Sequence, residues 1–323
     1  MKRINFFNND AIKELTLEDS FEKFINHKQA LSKAEDTIKY YTQRFGQFSL
    51  YIIETTSIKY VHEITEEEVE SYIAYKRELK PDISNATINN HLRAIRCVLY
   101  YLMDKGYMSY FKILLTKTKN KPKDGYSQED QEKLLKKPDL KKCSFPEYRN
   151  WVIICHLLAS GNRSRTIRGI KIKDVDLKRR VIMLTEVKND EIYEMPITSE
   201  YYPILSEYMS IRKGEPEDYL FCSQYGTGLT SGGLRAIMRK YNLKHGVDTT
   251  SLHRFRNTFA INWIIAGGSS KKLQYALGHS DSKMVDEYIK MYGRELTDDY
   301  SKYTPLSNFK GKIDKRKVNM KRD

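Results

Sequence analysis

The sequence predicts a mainly α protein with a small β-sheet (α+β), made of an all-α first domain and a larger second domain. Apolar residues recur at spacings of three and four over most of the first 115 residues, as in helices with one buried face. Residues 179–198 instead place β-branched and apolar residues on both sides of a polar Lys188-Asn189-Asp190 turn, which favours a β-hairpin. A segment with four lysines and no apolar periodicity, residues 117–126, separates the two regions and is predicted to be an exposed basic linker.

The first domain, residues 1–116, is predicted to contain four helices and no strand. Thr65 is expected to cap the third helix, because its hydroxyl can bind free amides at the start of a helix that opens with three glutamates. Gly106 is expected to end the fourth helix. The helices are expected at residues 17–31, 35–54, from 65 onward, and 85–105.

The second domain, residues 127–300, is predicted to be mostly helical around the hairpin. Two helical segments precede the hairpin, at residues 127–137 and 146–161, and helices resume at about Ser199. The remaining residues, 301–323, form a basic C-terminal tail, of which residues 310–323 are expected to be disordered when free.

The charge balance indicates a polyanionic partner. The formal net charge is +14, and a soluble protein this basic usually binds nucleic acid, although a merely solubilising surface is an alternative. No run of about 18 apolar residues appears, so no membrane partner is expected. The four cysteines form no CxxC pair, which argues against a zinc site or a disulfide framework and favours a reducing cytoplasm.

Five fragments of the second domain hold residues suited to chemistry on a phosphate. On a helix, the two residues of an HxxR fragment share one face, yet this fragment would arise by chance in roughly a quarter of such chains. A structural histidine, a surface arginine and one tyrosine among 24 are the ordinary alternatives, so the order and spacing carry the prediction. The candidates are Arg163 in GNRSRTIRG, Lys188 in the hairpin, His253 and Arg256 in LHRFRNTFA, His279 in LGHS, and Tyr288 nine residues later.

In this order the fragments resemble the tyrosine recombinase family, which includes phage integrases, Xer-type recombinases and transposon integrases. GNRSRTIRGIKIKDVD is similar to the family's arginine box, HRFRNTFA to its H-x-L-R-H-T-F-A box, and LGHSDSKMVDEY to its L-G-H-S box with the following tyrosine. The helical stretches DTIKYYTQRFGQF and ATINNHLRAIRCVLYYLMDKG resemble the family's core-binding domain. The resemblance covers about residues 17–295.

Two positions depart from the family pattern. Thr166 stands where the arginine box usually has an acidic residue that orients the arginine, so another group must do this here. Asn257 stands after the second arginine, where histidine is common. Neither departure removes a residue that performs chemistry, so we expect an active enzyme.

The resemblance implies a division of labour among the six candidates. Tyr288 would be the nucleophile that forms a 3′-phosphotyrosine bond with DNA. Arg163 and Arg256 would clamp the charge that develops on the phosphate. Lys188 would be the general acid for the 5′-oxygen, His253 the base for the tyrosine proton, and His279 a donor to a phosphate oxygen. No metal and no cofactor are expected.

The implied partner is double-stranded DNA, bound by a homo-tetramer on paired sites, with accessory DNA-bending or directionality proteins as further candidates. The segment after Tyr288 is expected to dock on a neighbouring subunit, with folding back on its own domain as the alternative. Only about 16 residues precede the first helix of the first domain, which favours a simple recombinase of the cytoplasm and nucleoid over an integrase with an arm-binding domain. A type IB topoisomerase and a catalytically inactive DNA-binding protein are the rival functions.

Overall fold

The first unit of the chain is the helical region that the sequence predicted. In this computed structural model the chain divides into two compact units, Met1–Asn120 and Lys121–Asp323, each with its own hydrophobic core. The residues that the structure describes are 14–118, 124–186, 191–278 and 282–292. The predicted C-terminal tail and most of the segment expected to reach a neighbour therefore lie outside the described residues.

Four α-helices form the described part of the first unit, together with a short 3₁₀ helix at Val61–Glu63. They begin and end within one residue of the predicted bounds, because each has an apolar stripe and most have a capping side chain. The apolar faces meet around the fourth helix, where Leu92, Ile95 and Leu99 are fully buried. The helices are α1 (Leu17–Ala30), α2 (Glu35–Thr55), α3 (Glu66–Leu79) and α4 (Asn85–Asp104).

The predicted ends of α3 and α4 are confirmed. The Thr65 hydroxyl accepts a hydrogen bond from the Glu67 amide at 3.2 Å, and the Glu68 carboxylate accepts one from the Thr65 amide at 2.7 Å. This reciprocal cap satisfies two donors that a helix start otherwise leaves free. Gly106 follows α4 with φ +74°, a conformation that glycine adopts without a steric penalty.

The second unit contains eight α-helices within its described residues and a three-stranded antiparallel sheet in the order β1-β2-β3. The predicted hairpin is β2 paired with β3, with Val181 opposite Pro196 and Ile182 opposite Met195. The two-residue strand β1 was not predicted, since it is too short for any periodicity. The elements are α5 (Gln128–Leu135), α6 (Phe145–Ser160), α7 (Ser164–Gly169), β1 (Val175–Asp176), β2 (Val181–Glu186), β3 (Glu191–Pro196), α8 (Tyr201–Arg212), α9 (Ser231–Lys244), α10 (Leu252–Ile265), α11 (Ser270–Ala276) and α12 (Lys283–Tyr292).

Two apolar clusters hold the second unit together. The larger surrounds α6, where Trp151, Val152 and Ile154 are buried along with most of the helix. The smaller joins α10, α11 and α12 through Ile261, Leu273, Leu277, Val285 and Tyr288. Among the helices of the described ranges, none has the length and apolar character needed to cross a membrane.

Candidate active site

Arg163 is placed by a turn that only glycine fits. Helix α6 ends at Ser160, and Gly161 follows with φ +62°, the left-handed conformation common at helix ends. A Cβ atom at Gly161 would lie 2.7 Å from a ring carbon of Phe259 on α10, so both the backbone and the available space require glycine. The chain then runs through Asn162 to Arg163, which precedes the first residue of α7.

Arg163 and Arg256 converge on the C-terminal end of α11. The guanidinium of Arg256, on α10, donates to the carbonyl oxygens of Gly161 at 2.9 Å and Leu277 at 2.6 Å. Arg163 donates to the carbonyl oxygens of Gly278 at 3.1 Å and Leu277 at 3.4 Å. The two guanidinium groups are therefore adjacent, and they approach the same face of a helix end.

These carbonyls orient the arginines in a site where Thr166 stands in place of an acid. The last carbonyls of a helix have no partner within the helix and carry partial negative charge, so they attract guanidinium groups. Unlike a carboxylate, these carbonyls carry no net charge. Thr166 is buried on α7.

Tyr288 lies on α12 with 1% of its surface exposed. Its hydroxyl donates a hydrogen bond of 2.7 Å to the side-chain oxygen of Asn257 on α10. Burial raises the pKa of the Tyr288 phenol to about 12, and nearby Arg256 opposes this rise. The nucleophile candidate is thus a neutral phenol packed in the smaller apolar cluster.

The end of the predicted linker runs along α10. Asn257 donates from its side-chain nitrogen to the carbonyl of Asp124 at 3.2 Å, and Arg254 donates to the carbonyl of Gly125 at 3.0 Å. The Tyr126 amide donates to the hydroxyl of Thr258 at 2.7 Å. Residues 124–126 are therefore fixed to the helix that carries His253 and Arg256.

Three of the six candidates remain, His253, Lys188 and His279. His253 lies on α10 and is exposed, three residues before Arg256, whose side chain is buried. Lys188 and His279 lie outside the described residues, and their positions stay predictions. Of the six candidates, the described structure brings Arg163, Arg256 and Tyr288 to one region of the second unit.

A buried polar chain behind the arginine turn was not predicted. His156 on α6 is hydrogen-bonded to the hydroxyl of Tyr201 at 3.0 Å and to the side-chain nitrogen of Asn162 at 3.2 Å. The side-chain oxygen of Asn162 accepts a hydrogen bond from the hydroxyl of Tyr193 on β3 at 2.9 Å. Burial lowers the pKa of His156 to about 3, so the ring is neutral. A single histidine in an apolar helix gives no sequence signal that distinguishes this role from simple packing.

Residues 127–294, just over half of the chain, match the phage integrase family. The chain belongs to this family. It is a tyrosine recombinase, as the order of its fragments predicted, and the reaction of this class is site-specific DNA recombination.

Individual proteins similar to this chain are tyrosine recombinases. The chain is 24% identical over 303 residues to the tyrosine recombinase XerD of Oceanobacillus iheyensis, covering 90% of this chain and 99% of that protein. It is 26% identical over 288 residues to the tyrosine recombinase XerS of Streptococcus thermophilus, covering 75% and 80%.

Two solved structures share the fold. The Tn1549 transposon integrase in complex with transposon right end DNA superposes with a TM-score of 0.68 at 20% identity, covering 85% of this chain and 94% of that one. XerH bound to a palindromic difH substrate superposes with a TM-score of 0.67 at 20% identity, covering 89% and 85%. These likenesses confirm the predicted fold, a mostly helical protein with a small sheet.

Proposed function

We propose that this recombinase cleaves and rejoins DNA through Tyr288, with Arg163 and Arg256 as the clamp on the reacting phosphate. The observation that carries the proposal is the carbonyl of Leu277, which both guanidinium groups share at 2.6 and 3.4 Å. Two adjacent guanidiniums match the non-bridging oxygens of one phosphate and stabilise the negative charge that grows there during transfer.

The reaction conserves the energy of the broken phosphodiester. The Tyr288 oxygen attacks phosphorus, the bond to the 5′-oxygen breaks, and that oxygen leaves with a proton from Lys188. His253 takes the phenol proton and His279 donates to a phosphate oxygen. The 3′-phosphotyrosine is then attacked by a 5′-hydroxyl of another strand, which restores a phosphodiester and frees Tyr288.

The two regions divide binding and chemistry. Residues 1–116 bind the duplex as a core-binding domain, residues 127–300 carry the reaction, and the basic residues 117–126 join the two regions. Phosphate contacts of this kind give affinity and salt dependence more than sequence choice. The protein then works in the cytoplasm at the nucleoid.

The assembled form is a homo-tetramer on two paired sites, because four strand breaks need four tyrosines. Ile289 and Tyr292 pack against the apolar cluster of their own unit. An exchanged segment therefore begins after Tyr292, within the basic and aromatic stretch that ends the chain. Accessory DNA-bending or directionality proteins are further candidate partners.

A strand-exchange assay separates this function from its rivals. Two duplexes, each carrying the site selected from a randomised pool by the protein, are labelled with different dyes. We expect products that carry both labels, without added metal. Relaxation of supercoiled plasmid without exchanged products would favour the type IB topoisomerase, and binding without any covalent adduct would favour the inactive DNA-binding protein.

A further inference from the structure

Asn257 contacts both the nucleophile and the end of the linker. Its side chain is buried, with 7% exposed, and it follows Arg256 on α10. Its nitrogen donates to the Asp124 carbonyl at 3.2 Å, while its oxygen accepts from the Tyr288 hydroxyl at 2.7 Å. Since a carbonyl can only accept, the Asp124 contact fixes which end of the amide faces Tyr288.

This geometry determines where the phenol proton points. The proton lies on the line from the Tyr288 oxygen to the Asn257 oxygen, and an amide oxygen is too weak a base to remove it. A histidine, common at this position in the family, can accept the proton as a base. With Asn257 the hydrogen bond holds the phenol neutral.

The same arrangement keeps the nucleophile away from a substrate. A reacting phosphorus must come within about 3–3.5 Å of the attacking oxygen. With 1% of Tyr288 exposed, a phosphate on a duplex has no path to its hydroxyl unless α12 or the side chain shifts. The described position of Tyr288 is therefore a resting position.

We propose that Asn257 is a positioning residue that holds Tyr288 in this protonated, withdrawn state until the Asn257–Tyr288 hydrogen bond is broken. The proposal rests on the proposed function in taking Tyr288 as the nucleophile. Because the Asp124 carbonyl orients Asn257, the hold depends on the end of the linker staying on α10. Residues 124–126 supply two more bonds to α10 that favour this placement, from Arg254 to Gly125 and from Tyr126 to Thr258.

Nitration of tyrosines by tetranitromethane tests the hold in the full-length protein without DNA. The reagent attacks accessible phenolate, so it reports both exposure and loss of the proton. Peptide mass mapping gives the nitration of each tyrosine, and Tyr225, with 82% of its surface exposed, serves as the internal reference. In the wild type we expect nitration of Tyr288 at no more than about a tenth of the Tyr225 rate, an order-of-magnitude expectation from its burial and proton retention.

Two substitutions separate the hydrogen bond from packing. Asn257→Leu keeps a branched side chain and removes the oxygen that accepts from the Tyr288 hydroxyl, so nitration of Tyr288 should rise at least several-fold relative to Tyr225. Asn257→Asp keeps an acceptor oxygen and should keep Tyr288 protected. Asn89→Leu is the control, since Asn89 is also buried but belongs to the first unit and bonds to Thr116 instead.

Nitration tests the role of Asn257 whether or not the protein cleaves DNA. Equal protection of Tyr288 in the wild type and in Asn257→Leu would overturn the proposal, as would equal exposure in Asn257→Leu and Asn257→Asp. At protein concentrations too low for several copies to assemble on DNA, Asn257→Leu should also form the covalent adduct on a nicked half-site faster than the wild type. Persistence of the adduct in Tyr288→Phe would instead refute the proposed function, while the nitration result would still stand for Asn257.

Discussion

Arg163 and Arg256 share one acceptor, the carbonyl oxygen of Leu277, although the two arginines lie 93 positions apart in the chain. The shared oxygen is a neutral acceptor, and it brings the two guanidinium groups together. Two adjacent guanidinium groups match the geometry of phosphate oxygens.

Gly161→Ala should damage the site more than its backbone strain alone explains. A left-handed alanine costs about 1–2 kcal/mol, and the new methyl would also meet the Phe259 ring at 2.7 Å. Both effects move the carbonyl that binds Arg256. Gly226→Ala is the control, since Gly226 has φ +81° with nothing within 4 Å of the added atom. Both the Tm and the rate of DNA cleavage should be lower in Gly161→Ala than in the wild type. Equal losses in Gly161→Ala and Gly226→Ala would contradict the role of this turn.

Arg163→Ala and Arg256→Ala should each lower the cleavage rate far more than DNA binding. Each change removes a charge-assisted clamp on the transition state, on the order of 3 kcal/mol or more. Single-turnover kinetics give the cleavage rate, and fluorescence anisotropy gives the affinity for DNA. Arg235 is exposed on α9, and Arg235→Ala serves as the control. Parallel losses in binding and cleavage would mean that the arginines contact the phosphate only in the ground state.

Lys188→Ala should slow cleavage of ordinary DNA and be rescued by a substrate with sulfur in place of the 5′-oxygen. A thiolate leaves without a proton, so a missing general acid no longer limits the rate. The comparison uses rate ratios between the two substrates for the wild type and the variant. A variant that stays equally slow on both substrates would remove Lys188 from the acid role.

Stability should fall as the pH is lowered through the window set by His156. Its pKa is about 3 in the folded protein, below the usual 6.5, so the unfolded chain binds a proton that the folded chain does not. The stabilisation is complete above pH 6.5 and is lost progressively as the pH falls from 6.5 toward 3. Denaturant unfolding at pH 7, 6 and 5 should show a steeper loss in the wild type than in His156→Gln. If the free energy of unfolding depended equally on pH in the two proteins, His156 would be protonated in the folded protein.

Much of the fold could be predicted because its signals are local. The helices of the first unit carry apolar stripes and caps such as Thr65, and the hairpin carries a polar turn between β-branched runs. Strand β1 could not be predicted, since two residues show no periodicity and their pairing with β2 depends on tertiary contacts.

The candidate residues were predicted from type, order and spacing, whereas their supports were not. Backbone carbonyls orient Arg163 and Arg256, and a carbonyl looks the same in every sequence. Thr166 and Asn257 were recognised as departures from the family pattern, but what they change depends on atoms far apart in the chain. The partner of Tyr288 is an example, because 31 positions separate it from Asn257.

The assignment of Tyr288 as the nucleophile is tested by the covalent adduct formed on a nicked duplex that traps the cleaved strand. The wild type and the control Tyr292→Phe should give a protein–DNA band that survives denaturing gel electrophoresis, and peptide mapping should place the DNA on residue 288. Tyr288→Phe should give no adduct while binding the duplex nearly as tightly as the wild type, because only one buried hydroxyl is lost. An undiminished adduct in Tyr288→Phe would contradict the assignment of Tyr288 as the nucleophile.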